Sequence, residues 1–496
     1  MEMKVKIVKT LKELAEPLPV KKMIGDAAVS SMTMDSREVE KGALFFCIRG
    51  YTVDGHDYAQ SAEAAGAAAI VAEKKLDLAV PQLIVPDSSK AMAVMAARFY
   101  EHPSSALSII GVTGTNGKTT VTHFLEQLYR TDFGLIGTMY TRFPGWEEPS
   151  VNTTPASVEL QRLLRRMVDA GATTTAMEVS SHALQLGRVH GTNFNTAVFT
   201  NLTQDHLDFH PSMESYAHAK SLLFAQLGSG EATEGKYGIV NVDDPWGEVM
   251  IASCAVPVLS YGIDKPADVQ ALNLRLTPSG SVFDLRTPAG ETSLELQVPG
   301  KFSVYNALAA AAAAAVTGLG WETVIKRLPG LKGVRGRFEP VESVAPVHVI
   351  VDYAHTPDSL VNVLQTISGM TDQRIITVVG CGGDRDVTKR PLMASAAEEG
   401  SDYVILTSDN PRSEDPASII NHMEAGITGS YEVEADRRKA IASAVARAGK
   451  GDVILIAGKG HETYQEINQV RHPFDDREEA AAALKEWSPH DTFSDQ

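Results

Sequence analysis

Cysteine is scarce. Only Cys47, Cys254 and Cys381 occur in 496 residues, far apart and in no C-x-x-C pair. That excludes a disulfide scaffold and a four-thiolate zinc site, and it fits a reducing cytosol. Basic residues are in the minority: 45 Lys and Arg stand against 62 Asp and Glu, a formal net charge of −17. A chain of that sign lacks the footprint for nonspecific nucleic-acid or anionic-membrane binding, although a local cationic pocket for phosphate stays open. Long apolar runs are missing too. The start, Met1-Glu-Met-Lys-Val-Lys6, has no signal-peptide core, and the most apolar stretch, residues 307–316, is too short and alanine-rich to span a bilayer. No solenoid period, low-complexity tract or Asn-Lys-x-Asp guanine-reading motif occurs. What remains is a cytoplasmic globular protein, 44 % apolar and 22 % charged. Its length suggests about three domains at ~150 residues each.

The chain divides accordingly. Residues 1–103 hold short strand-like runs such as Gly42-Ala-Leu-Phe-Phe-Cys-Ile48 and Ala67-Ala-Ala-Ile-Val-Ala72, and His102-Pro103 reads as a linker. Residues 104–338 open with Leu107-Ser-Ile-Ile-Gly-Val-Thr113, a continuous apolar run of the kind that forms a buried parallel strand. Further runs alternate with helical patterns, which predicts a mostly parallel sheet covered by helices. Residues 339–496 carry four more strand candidates, each followed by polar or glycine-rich residues and then a helical stretch. That is a doubly wound, Rossmann-like pattern, with ligands expected beyond the carboxyl ends of its strands. The acidic tail after Trp487 reads as loose.

The sharpest motif is Gly111-Val-Thr-Gly-Thr-Asn-Gly-Lys-Thr-Thr120, between a buried strand and a helix. Its glycines let backbone N–H groups wrap phosphate oxygens at a helix N-terminus, Lys118 reaches the β/γ-phosphates and the Thr119 hydroxyl suits Mg²⁺. Val112 stands where the strict phosphate-loop pattern has glycine. The loop alone does not separate a kinase, a ligase, a motor and a switch. Glu178, at the end of an apolar strand, suits a hard cation. Asn201-Leu-Thr-Gln-Asp-His-Leu-Asp-Phe-His210 packs two His and two Asp into six residues, whereas Lys220 by itself reads as a solvated helix face. The third region adds Asp352-Tyr-Ala-His-Thr-Pro-Asp358, Gly380-Cys-Gly-Gly-Asp-Arg-Asp386, Ser408-Asp-Asn-Pro-Arg412 and Gly458-Lys-Gly-His-Glu462. Each alone is as compatible with a turn or a helix cap. Four at successive strand ends point to a small polar ligand, and two arginines give that ligand carboxylate or phosphate character.

Together these motifs resemble the Mur ligases, ATP-dependent amide-forming enzymes of bacterial cell-wall synthesis, over nearly the whole chain. The resemblance is strongest to the branch that adds meso-diaminopimelate. In this family the phosphate loop takes the G-T-x-G-K-T form, which accommodates Val112. The resemblance implies ATP held by Gly114, Thr115, Asn116, Gly117, Lys118, Thr119 and Thr120, with Asn306, Arg337 and Asp352. It implies Mg²⁺ on Thr119, Glu178 and His206, and on Lys220 in carbamylated form; Lys118, His206 and Lys220 are the implied catalytic residues. A UDP-sugar-peptide would be held by Met34, Ser36, Tyr51, Thr52 and Val53 and by Asn152, Thr153, Thr154, Ser180, Leu186 and Arg188. Leu186 stands where relatives place glutamine, with Gln185 one residue earlier. Arg385, Asp409, Asn410, Pro411, Arg412, Gly458 and Glu462 would bind meso-diaminopimelate. The implied reaction joins that amino acid to UDP-N-acetylmuramoyl-L-alanyl-D-glutamate through an acyl phosphate, in a monomer that binds neither nucleic acid nor membrane. Folylpolyglutamate synthetases share a similar loop, but theirs lies near the N-terminus, whereas about a hundred residues precede it here. Two other Mur branches, the MurC- and MurD-like enzymes, typically open with a dinucleotide-type glycine motif that this chain lacks. A nucleotide-gated binding protein would hydrolyse ATP without regard to these substrates.

Overall fold

The computed structural model describes residues 7–50, 53–207, 209–228, 234–277 and 280–487. Tyr51, Thr52 and the tail beyond Trp487 lie outside the described residues. Near the start, strands β1 (Lys22–Ile24), β2 (Ser31–Thr33), β3 (Ala43–Phe46), β4 (Ala69–Ala72) and β5 (Gln82–Ile84) form a sheet in the order β1-β5-β4-β3-β2. All neighbours are parallel except β1, which runs antiparallel to β5. Alternate residues serve opposite faces: Leu44 and Phe46 join one apolar cluster, Phe45 and Cys47 another. Helix α1 (Ser88–Phe99) follows β5, its N-terminus capped by the Asp87 side chain.

The central sheet has eleven strands: β6 (Ser108–Thr113), β7 (Phe133–Ile136), β8 (Tyr140–Phe143), β9 (Trp146–Pro149), β10 (Thr174–Glu178), β11 (Thr196–Phe199), β12 (Tyr237–Asn241), β13 (Val258–Gly262), β14 (Val269–Thr277), β15 (Gly280–Thr287) and β16 (Gly290–Leu296). Their order is β9-β8-β7-β10-β6-β11-β12-β13-β14-β15-β16. The run from β7 to β14 is parallel, as the continuous apolar strands predict. Antiparallel strands extend both edges, β8–β9 on one side and β15–β16 on the other. Helices α2 (Lys118–Tyr129), α3 (Met213–Leu227) and α4 (Lys301–Ala314) cover the faces. Ile110, Val112 and Ala176 pack with α2 and α4, whereas Ile109, Met177 and Ala197 pack with α3.

The apolar stretch read as too short for a membrane belongs to a longer helix. With the π-turn that follows α4, Lys301–Leu319 is a 19-residue helix containing an 18-residue window of mean hydropathy 1.5, long and apolar enough to span by length and composition alone. Instead it packs along α2 inside the central domain, and every residue from Ala307 to Ala314 is buried. Alanine lets two helices approach closely without side chains to displace.

In the third sheet β17 (Glu339–Pro340), β18 (His348–Asp352), β19 (Ile375–Val379), β20 (Tyr403–Leu406), β21 (Tyr431–Val433) and β22 (Val453–Ala457) take the order β17-β18-β22-β19-β20-β21, parallel apart from β17. Helices α5 (Pro357–Ser368) and α6 (Lys389–Gly400) cover one face, and α7 (Arg437–Arg447) and α8 (Asp476–Glu486) the other. Val379 and Leu406 face the first layer, Val378 and Ile405 the second. This is the doubly wound arrangement expected from the sequence. The hairpin β23 (Tyr464–Ile467) and β24 (Val470–Pro473) lies beyond β22.

Candidate active site

The phosphate loop leaves β6 and enters α2 through Gly114 (φ 149°) and Gly117 (φ 88°), both in the region that favours glycine. Neither tolerates a Cβ: one on Gly114 would lie 1.8 Å from Thr200 Oγ1, one on Gly117 2.4 Å from Asn306 Oδ1. Lys118 Nζ folds back to donate to the carbonyls of Gly114 (2.9 Å) and Thr115 (2.8 Å). Lys220 Nζ, from α3, donates to the same Gly114 carbonyl at 2.9 Å and lies 4.4 Å from the Tyr216 ring centroid. Lys220 is 1 % exposed, so the expectation of a solvated helix face is overturned. Burial pushes its amine well below the ordinary lysine range, and the neighbouring Lys118 pushes it further the same way. Burial also lowers Lys118.

Glu178 closes the other side of the loop. Fully buried at the end of β10, it accepts hydrogen bonds from Thr119 Oγ1 (3.0 Å), Thr138 N (2.9 Å) and Thr138 Oγ1 (3.0 Å). Thr138 carries no sequence signal of its own and was not anticipated. The Glu178 carboxylate and the Thr119 hydroxyl are adjacent hard oxygens, a donor set that fits Mg²⁺, which takes one or two carboxylates and fills the remainder with water and phosphate oxygens. His206 sits with φ 55° beside Asp205, 3.5 Å away, and burial pulls its imidazole down to about 4. Among the described residues no three His, Cys, Asp or Glu side chains already converge on one point.

A cavity of about 610 Å³ lies between the central and third sheets, lined by Asn116, Gly117, Thr120, Asn306, Arg337 and Asp352 among others. These six are residues that the family resemblance assigns to ATP. The Arg337 guanidinium donates to Thr119 Oγ1 (3.2 Å) and lies 4.6 Å from the Tyr353 ring centroid, while its buried Nε has no partner among the described residues. Asp352 accepts from Phe338 N (2.6 Å), and burial raises its carboxyl. Asn116 Nδ2 crosses the cavity to Asp358 Oδ2 at 3.2 Å.

Of the residues assigned to the UDP-linked substrate, four converge beside Glu178. Thr153 Oγ1 lies within hydrogen-bond distance of Thr138 Oγ1 (3.1 Å), Thr154 Oγ1 donates to Glu178 O (2.9 Å), Ser180 N donates to Thr154 Oγ1 (3.0 Å), and Arg188 donates to Thr154 O (3.1 Å). Burial lowers the Arg188 guanidinium. Asn152 is exposed next to them. The Leu186 carbonyl accepts from Ser89 Oγ (3.0 Å), tying α1 to the central domain, and Gln185 is exposed. Met34, Ser36 and Val53 stand on the first sheet's side and make no hydrogen bond to this group.

The residues assigned to the amino acid gather where β19, β20 and β22 end. Asn410 Nδ2 donates to Glu462 Oε2 (2.7 Å), and Arg412, held at φ 52°, donates to Gly383 O (2.7 Å). A Cβ on Gly458 would lie 2.6 Å from Asp409 Oδ2, so the missing side chain makes room for that carboxylate. Pro411 is buried and Arg385 is exposed. Burial and the neighbouring Asp409 raise the Glu462 carboxyl. Sequence reasoning missed Lys459, fully buried between Asn410 and Glu462, although it stands inside a motif already singled out.

Comparison with known proteins agrees across the whole chain. Family models match in three segments: Mur ligase family, catalytic domain, over residues 28–100; Mur ligase middle domain over 112–314; and Mur ligase, glutamate ligase domain, over 336–460. The UDP-N-acetylmuramoyl-L-alanyl-D-glutamate--2,6-diaminopimelate ligase of Bacillus licheniformis is 51 % identical over 466 residues, 93 % of this chain and 96 % of that one. Its counterpart in Bacillus velezensis is 51 % identical over 473 residues, 94 % of this chain and 96 % of that one. A solved structure of a UDP-N-acetylmuramoyl-L-alanyl-D-glutamate--2,6-diaminopimelate ligase superposes with a TM-score of 0.67 at 36 % identity, covering 92 % of this chain and 95 % of that chain.

Proposed function

The chain belongs to the Mur ligase family, and from that premise we propose that it joins meso-diaminopimelate to UDP-N-acetylmuramoyl-L-alanyl-D-glutamate, with ATP converted to ADP and phosphate, in peptidoglycan precursor synthesis. What carries this reading is that the similarity spans all three sheets, amino-acid end included, rather than the nucleotide loop alone.

A carboxylate is too poor an electrophile for an amine. The γ-phosphoryl group therefore passes from ATP to the glutamate carboxylate, the diaminopimelate amine attacks the resulting acyl phosphate, and phosphate leaves as the amide forms. Lys118 moves from the loop carbonyls to the β/γ-phosphates, and the loop N–H groups hold charge that develops during transfer. Asn306, Arg337 and Asp352 hold the nucleotide. Mg²⁺ on Thr119 and Glu178, with His206 and a carbamylated Lys220 beside it, would supply neutralisation of the phosphate charge. Thr153, Thr154, Ser180 and Arg188 hold the muramoyl-peptide, with Asn152 and Leu186 at its edge. Residues 1–103 hold the uridine end through Met34, Ser36 and the segment 51–53. Residues 104–338 form the ATPase body, and residues 339–496 bind the amino acid, whose second carboxylate pairs with Arg412 in a two-pronged contact. The chain acts as a monomer in the cytoplasm, where its substrates are.

The test is ADP release with each substrate omitted in turn. Turnover should require both the UDP-linked dipeptide and diaminopimelate. Turnover that ignores both would overturn the proposal.

A further inference from the structure

Lys459 is a buried cation of the amino-acid site that the proposed chemistry leaves without a task. Its side chain is fully buried, 5.5 Å from the Tyr464 ring centroid. Its ammonium donates to Asn410 Oδ1 (3.1 Å) and to Glu462 Oε2 (3.2 Å). Asn410 Oδ1 also accepts from Glu466 N (2.9 Å). With two donors on that oxygen the amide cannot turn over, so Nδ2 is committed to Glu462 Oε2 at 2.7 Å. Both hydrogen bonds to the Glu462 side chain therefore fall on Oε2, and among the described residues Oε1 accepts none. The carboxylate keeps an open oxygen on a side chain that is 16 % exposed.

Stability alone gives little reason to keep this lysine. A buried ion pair is often matched or bettered by apolar residues of similar volume, because desolvating two charges offsets their attraction. We propose that Lys459 is a positioning residue: it clamps Asn410 and Glu462 into one rigid unit, so that Glu462 Oε1 is aimed at the far-end ammonium of the diamino acid while Arg412 takes the neighbouring carboxylate. The inference rests on the reading that this loop takes a diamino acid and adds how the loop is held. Without the clamp, Glu462 becomes a mobile carboxylate that must be ordered anew for each ligand, and affinity falls while chemistry at the other end of the molecule is untouched.

The experiment is steady-state kinetics and thermal melting of the full-length enzyme and its variants. Lys459→Met should raise the diaminopimelate KM by about tenfold or more, with kcat at saturation and the KM values for ATP and the UDP-linked dipeptide within about threefold of the parent. Lys459→Gln, which keeps an uncharged NH2 donor group, should fall between the two and serves if the methionine variant does not fold. In a cycle with Glu462→Gln, the double variant should lose clearly less than the product of the two single losses, because the lysine acts through that carboxylate. A Tm collapse with all three KM values rising together, or losses that multiply, would overturn the role. If the parent itself shows no diaminopimelate-dependent turnover, the proposed function falls first. A parent that turns over beside a Lys459→Met variant of unchanged KM overturns this inference alone.

Discussion

Two lysines donating to one carbonyl oxygen is an arrangement that cannot hold two full charges in a dry site. Lys118 keeps an escape route toward phosphate, while Lys220 sits buried with its amine pushed well below the ordinary lysine range. A neutral amine is the nucleophile that carbon dioxide requires, so the carbamate proposed at Lys220 would turn a cation that repels metals into an anion that binds them. Lys220→Ala should reduce ligation by at least about 100-fold, with partial recovery in millimolar acetate or formate as a small carboxylate occupies the gap. Intact mass of the parent checks the premise: an unmodified lysine in a fully active enzyme would contradict it. None of this was legible in Ala217-His-Ala-Lys-Ser-Leu222. One lysine per helical turn describes a solvated face and an interior one equally well, and burial is decided by what the neighbouring loop brings. The phosphate loop was legible because its glycines answer to backbone geometry that no other residue satisfies.

At the scale of elements, the parallel strands were readable as continuous apolar runs, and the motifs that follow them do lie at their carboxyl ends. The antiparallel edges were not. In β14–β16 buried and exposed residues alternate, a weaker signal than a core strand, and β8–β9 is a four-residue hairpin around Gly145. The α4 segment was readable as apolar but not in its full length, because its function is packing rather than amphipathic covering. Its alanines are buried, α4 packs against α2, and α2 starts at Lys118. Ala310→Leu should therefore do two things. Overpacking should cost about 1–3 kcal/mol, seen as a lower denaturation midpoint. Moving α2 should also raise the KM for ATP more than that for diaminopimelate. A variant as stable as the parent would mean that the helices are not in close register there.

For the whole molecule, the described residues join the three sheets at a few places: Ser89 Oγ to Leu186 O between the first and second, Asn116 Nδ2 to Asp358 Oδ2 between the second and third, and the link before β17, which is bonded to both sides through Arg337 to Thr119 Oγ1 and Arg335 to Asp475. Bound substrates are placed to supply what these bonds do not, which is the condition for closure to depend on ligand. Arg337 is the sharpest case. It leaves the strand-poor link before β17, lies against Tyr353 of the third sheet and touches Thr119 of the second, with a buried Nε that none of the described residues satisfies. An unpaired buried guanidinium nitrogen is costly, and a nucleotide phosphate would satisfy it. A ligand that binds only the folded state stabilises it by about 2.7 kcal/mol at 100 times its Kd, so ADP with Mg²⁺ should raise the Tm of the parent. In Arg337→Ala the ligand-free Tm should change little or rise, since a half-buried guanidinium with an unsatisfied nitrogen is removed together with its partial contacts. The ADP-induced rise should shrink, with Kd weakened by about ten- to a hundredfold for loss of a charged hydrogen bond. Paired melting curves with and without ADP check both halves. An unchanged ADP shift would place the nucleotide away from Arg337, and a large fall in the ligand-free Tm would make the arginine a strut between the two sheets rather than part of the nucleotide grip.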